Sequence, residues 1–378
     1  MTTPTRRSSR GEALSTIPTR PLGGATTGPG PWSSPRGSRK TSVAMGLLFG
    51  LLLLPLLVAG TVLAWQLVAR QQQPSALLNE ERLGERAEAI QPFDPNAGAI
   101  FPRYRVVAFY GIPGAPATGP AYQLNAQMLA HLQAQGAVYA RLDPAHPVKL
   151  AIDLVASVPD RYPGPEQTYS HRLDPTTIGT YIRFCQQHNL LLFLDLSFGQ
   201  APVMQELRFF LPYLEHYSFV ELAIDPEWMF PRHNGIPGVN LSNVRASDLN
   251  PVIETLAALP MQYHVPRKIL VIHQYRGDGD GLKNPYDASM AEFADKRNLV
   301  YDPRVDVVIH VDSVGGYRGD QQDKIRQYTM WVQQDMQKYH NFRYGGFKLF
   351  YHIEARTLMT PAQVLALQPP PMVISYGN

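Results

Sequence analysis

The chain has 378 residues, 44% of them hydrophobic and 17% charged, which suits one large domain or two ordinary ones. Its formal net charge of +3 gives no case for a nucleic-acid-binding protein, since the bases that cluster come without an aromatic or helical pattern. A single cysteine, Cys185, excludes an internal disulfide, so the fold must rest on its core; the residue reads as a small buried side chain.

Residues 1–42 carry seven bases against one acid, Glu12, in a Ser-, Thr-, Pro- and Gly-rich stretch without hydrophobic periodicity. They read as a disordered arm. From 43 to 65 runs VAMGLLFGLLLLPLLVAGTVLAW, 23 residues without a charge. That exceeds the ~20 residues needed to cross a bilayer as a helix and the roughly 7–15 of a cleavable signal peptide. The reading is a signal-anchor helix over 43–69 lying in the lipid bilayer. The bases before it keep the arm in the cytoplasm and put the rest outside. A long signal peptide cut near Ala64 is the alternative. Residues 70–100 read as a linker with a short helix at 76–90, and 101–378 as the exported domain.

In that domain strands and helices alternate. Strands are expected at 104–111, 148–158, 190–199, 219–228, 268–275, 305–316, 347–355 and 371–377. Most are near-continuous apolar runs, as in parallel strands covered on both faces. Helices are expected between them: one ending at Gly136, one from Asp174-Pro175 to Asn189, three at 204–217, 247–260 and 322–340, and a last one opened by Thr360-Pro361. Eight strand–helix units in about 275 residues predict an α/β fold of the (β/α)8, or TIM-barrel, type. An open nucleotide-binding sheet is disfavoured, because YGIPGAPATG after the first strand lacks the phosphate-loop spacing.

Barrel chemistry gathers at the C-terminal strand ends, and there polar residues recur two apart, on one face of each strand. The pairs are Asp195 and Ser197, Asp225 and Glu227, His273 and Tyr275, His310 and Asp312, and His352 and Glu354. Aromatic residues Tyr110, Trp228, Tyr351 and Tyr376 fall at or near the same rim. Asp153, inside the second strand, is open between a structural role and facing the bore. Carboxylates at a barrel mouth can protonate a leaving oxygen and stabilise positive charge at the reacting carbon, the needs of glycoside cleavage, and aromatic faces suit sugar rings. Glu227 is the expected general acid, with Asp225 deeper and tuning its pKa.

The AIDPEW stretch resembles the end of the Asp-x-x-Asp-x-Asp-x-Glu signature of chitinase-like glycosidases, with Asp225 and Glu227 in its last two acidic places. LSFGQ, with Ser197 and Gly199, is similar to that family's Ser-x-Gly-Gly. Ala223 and Gln200 depart from the pattern, and no Met-x-Tyr-Asp stands on the sixth strand. The resemblance implies a retaining mechanism assisted by the substrate's acetamido group. Sugar-processing barrels at large commonly carry carboxylates on strands four and seven, which makes Glu354 a second catalytic candidate, as nucleophile or base. The expected substrate-binding set is Tyr110, Asp195, Trp228, His273, Tyr275, His310, Asp312, Tyr351, His352 and Tyr376. No metal or other cofactor is expected.

Two rival readings use the same rim. A metal-dependent hydrolase would draw ligands from His273, His310, Asp312, His352 and Glu354, though strand one lacks a His-x-His. A non-catalytic barrel would bind envelope glycans or a protein partner through the same groups. The loop 274–287 resembles a calcium loop through Asp278, Asp280 and Gly281 but lacks its spacing and terminal Glu.

Overall fold

A computed structural model describes residues 93–240, 242, 244–274 and 295–378. The basic arm, the apolar segment 43–69, the linker up to residue 92, and the loop from Tyr275 onward lie outside the described residues. Among the described residues no helix is long and apolar enough to cross a membrane. Residues Ile90–Asn378 form one compact unit.

Eight parallel strands close into a barrel: β1 (Arg105–Gly111), β2 (Val148–Pro159), β4 (Leu191–Leu196), β5 (Val220–Ile224), β6 (Lys268–Gln274), β7 (Val305–Val311), β8 (Tyr344–Phe350) and β9 (Val373–Gly377). Each pairs with its neighbours in chain order, and β1 closes the ring by pairing with both β2 and β9. A short antiparallel strand, β3 (Ser170–Arg172), folds back on the end of β2. It falls between the strand expected at 148–158 and the helix expected from Asp174, where no element is expected, because its three residues are too few to show a period.

The helices are α1 (Ala126–Leu142), α2 (Pro175–His188), α3 (Val203–His216), α4 (Ala246–Tyr263), α5 (Asp320–Tyr328), α6 (Asp335–Tyr339) and α7 (Pro361–Leu365). A π-helical turn, Thr329–Gln334, joins α5 to α6. Local chemistry sets several ends. The Asp174 side chain accepts from the Thr177 amide, and Asn189 closes α2 in the left-handed region. Thr360 and Gln363 make a reciprocal capping box on α7. The stop expected at Gly136 is wrong: α1 runs on to Leu142. Packing of Leu132 and Tyr139 in the core outweighs the ~1 kcal/mol helix penalty of one glycine.

Two apolar layers result. The larger lies between sheet and helices and takes outward apolar residues such as Val107, Leu192, Leu222, Ile272 and Ile309. The smaller fills the bore with Val106, Ala108, Ala151, Phe193, Ala223, Val271, Val308 and Val373. Ile100 and Phe101, from the segment preceding β1, pack into this inner cluster, so the barrel unit begins before residue 101. Period-2 alternation then brings a second inward residue, two steps along each strand, to the C-terminal end of the bore.

Candidate functional site

Above Ala108 stands Tyr110, above Ala151 Asp153, above Phe193 Asp195, above Ala223 Asp225, above Val271 His273, above Val308 His310, and above Val373 Ser375. On β8 the sequence Gly346-Phe347-Lys348 puts a lysine in the same layer. Asp312, one residue past β7, adds a fourth carboxylate. All four aspartates, both histidines, Lys348 and Ser375 are buried. Small residues beneath them make the room: Gly346 lies against the His310 ring, where a Cβ would come within 2.3 Å of it.

Asp312 is the electrostatic centre. Its Oδ2 accepts from Lys348 Nζ at 3.0 Å and pairs with His273 Nδ1 at 3.0 Å, while Oδ1 has no hydrogen-bond partner among the described residues. The Lys348 ammonium also sits 3.7 Å from the centre of the Tyr110 ring. His273 Nε2 looks the other way, 3.7 Å from Asp195 Oδ2. The His273 and His310 rings lie 4.8 Å apart, and His310 Nε2 is 3.2 Å from Ser375 Oγ.

The carboxylates differ in their preferred charge. Burial opposes the Asp312 charge, but Lys348 and His273 outweigh it and hold the group well below the usual carboxylate range. Burial pushes Asp195 and Asp225 up to about 7, with neighbouring aspartates adding to the shift, and raises Asp153 as well. For His273 burial is overcome by Asp195 and Asp312, which lift it to about 9. Burial, then His273, drives His310 well below its ordinary value, so it is neutral. Burial raises Tyr110, and the aspartates around it add to the effect.

The expected residues separate into two groups. Tyr110, Asp195, Asp225, His273, His310 and Asp312 meet in the bore. Glu227 and Trp228 stand half-buried in a 3-10 turn, Pro226–Trp228, because β5 ends at Ile224 and proline turns the chain before the strand period can continue. Gly199 braces this turn by a bridge to Met229. It needs its positive φ of 57° and its lack of a side chain, since a Cβ would lie 2.2 Å from the Thr168 carbonyl.

Four expectations need correction. Tyr376 points outward, because the register puts Ser375 in the bore; its hydroxyl is 2.7 Å from that of Tyr139. Tyr351 stacks on Tyr376 at 4.8 Å, outside the bore, and donates to Gln135. β8 stops at Phe350, so His352 lies in a turn, exposed to solvent. Glu354 is buried but engaged elsewhere: it pairs with Lys324, accepts from the Gly315 amide at 3.0 Å, and closes the turn on Phe350 N. Tyr275 lies outside the described residues. Asp153, Lys348 and Ser375 are the site residues that sequence reading left undecided or missed.

No protein-family model matches the chain, and no curated protein sequence is significantly similar to it.

Proposed function

We propose that the protein hydrolyses glycosidic bonds at the upper end of the bore. The observation that carries this reading is the Asp225–Asp312 pair, whose nearest oxygens, together with His273, lie within 4.8 Å of one another. Asp312 is anchored through Oδ2 by Lys348 and His273, which leaves Oδ1 as the oxygen to attack the reacting carbon. Asp225, with Oδ1 unpartnered among the described residues, is the proton donor to the leaving oxygen. Two carboxylates this close do not ionise together, which divides the roles between acid and anion. This close approach favours a retaining double displacement over the inverting mechanism, which needs a gap of ~6.5–9.5 Å between its carboxyl groups.

Lys348 and His273 would hold Asp312 as the anion that attacks the sugar and stabilise it again as the leaving group when water hydrolyses the glycosyl ester. Glu227 and Trp228, half-buried in the turn at the rim, are placed to meet the sugar as it enters. The resemblance to chitinase-like glycosidases implies a sugar substrate too, but it would make Glu227 the acid and Asp225 its orienting partner; the proposal departs from it because Glu227 stands in the turn at the rim and Asp225 in the bore. The test is reducing-end release by the full chain from a panel of envelope and storage polysaccharides covering all common linkages. Release by the native protein that falls by about 10²–10⁴ in Asp225→Asn supports the proposal. Release that survives the substitution would refute the assignment of Asp225, and no release from any substrate would refute the activity.

A further inference from the structure

The proposed chemistry occupies one side of the bore and leaves the other unexplained. Asp153 Oδ1, both oxygens of Asp195, and His273 Nε2 are buried and have no hydrogen-bond partner among the described residues. Asp195 is 0% exposed, His273 1% and Asp153 4%. Buried polar atoms are almost always satisfied, so four orphans in one place mark a position built for something that accepts their lone pairs.

We infer that Asp153, Asp195 and His273 form a divalent-cation site, suited by its two carboxylates and one imidazole to zinc or manganese. Their donor atoms lie within 4.8 Å of one another. His273 Nε2 and Asp195 Oδ2 are 3.7 Å apart, beyond a hydrogen bond of ~2.7–3.2 Å. Two ligands about 2.1 Å from one tetrahedral ion would be separated by about 3.4 Å, close to the distance observed.

The orientation of His273 strengthens the case. Its Nδ1 is 3.0 Å from Asp312; as donor there, and once a cation displaces the Nε2 proton, it turns the Nε2 lone pair toward Asp195. A carboxylate behind a histidine is the usual support of a metal ligand. The same contact argues against the alternative trio of Asp225, His273 and Asp312, whose Nδ1 is already engaged. Three protein ligands leave a coordination position open for a water or a substrate oxygen. The site stands on its own geometry, and its test does not require glycosidase activity.

The full-length protein, stripped with a chelating resin, is titrated with manganese or zinc chloride by calorimetry and its metal content measured by mass spectrometry. The expected result is one equivalent bound, weakened at least about tenfold in Asp195→Asn and in Asp153→Asn, and largely retained in Asp225→Asn, which leaves the trio intact. Thermal unfolding confirms that each variant is folded. Should the two ligand variants fail to fold, pulsed EPR of manganese in the native protein decides: coupling to one imidazole nitrogen is expected. Absence of binding by the folded native protein, binding unaffected by both ligand substitutions, or a manganese signal without nitrogen coupling would each overturn the inference. Loss of release in the panel assay with metal binding intact would count against the glycosidase reading alone.

Discussion

Lys348 carries more of the site than any single carboxylate. It is the buried ammonium that offsets Asp312, and four aspartates around it raise its own pKa against burial. Lys348→Met is expected to lower turnover by about 10²–10³, the usual loss on removing a preorganised charge. It should also cost about 3–5 kcal/mol of stability, since the buried Asp312 carboxylate loses one of its two partners and keeps only His273. Enzyme kinetics beside denaturant unfolding measure both, and unchanged turnover would remove Lys348 from the mechanism. Sequence reading could find the aspartates and histidines because each is conspicuous at the end of an apolar run. Lys348 sits inside FKLF, where a lone lysine passes for a solvent-facing residue. The signal that was available is its place two residues before Phe350 and two after Gly346, on the inward face.

At the level of elements, strand ends decide which sequence pairs become structural pairs. His310 and Asp312 remain on one side because β7 runs to Val311. Asp225 and Glu227 part company because Pro226 starts a turn, and His352 and Glu354 do so because β8 is shifted toward the N-terminus. The glycines that shift it, Gly345 and Gly346, precede the strand start expected at 347. They let two bulky neighbours approach from opposite faces: a Cβ on Gly345 would meet Tyr328 Oη at 2.2 Å, and one on Gly346 the His310 ring at 2.3 Å. Gly345→Ala is therefore expected to destabilise the fold by about 1–3 kcal/mol through overpacking, read by chemical denaturation; a neutral result would show that α5 can yield. Glu354→Gln should cost about 3–5 kcal/mol by the same measurement, because Lys324 loses its buried partner.

For the whole molecule, the eight-unit rhythm made the barrel legible, since buried parallel strands and capped helices leave strong local patterns. Which residues face the bore was less so, because near-continuous apolar runs such as KILVIHQ are buried on both faces and hide the parity. The lower end of the barrel holds a second set of buried charges. Glu221 accepts from the Ile269 amide at 2.7 Å near Lys268, and Asp306 pairs with Arg267 at 2.9 Å. Burial raises Glu221 from 4.5 to about 7 and Asp306 from 3.8 to about 6. Folded values above unfolded ones mean stability fully present below about pH 4 and lost as pH rises through 6 and 7. The melting temperature should accordingly fall between about pH 4 and 7 and level off above, with Glu221 contributing about 1–3 kcal/mol of that loss. Glu221→Gln should flatten the profile; an equally steep fall in the variant would assign the loss to other groups.

The most direct test of the account compares turnover per folded molecule in Asp312→Asn and Glu354→Gln on the polysaccharide that the native protein cleaves. Asp312→Asn is expected to abolish release, whereas Glu354→Gln, though less stable, keeps it below its unfolding temperature. Activity that survives in Asp312→Asn and disappears in folded Glu354→Gln would contradict it, and would move the reaction centre out of the bore to the turn after β8.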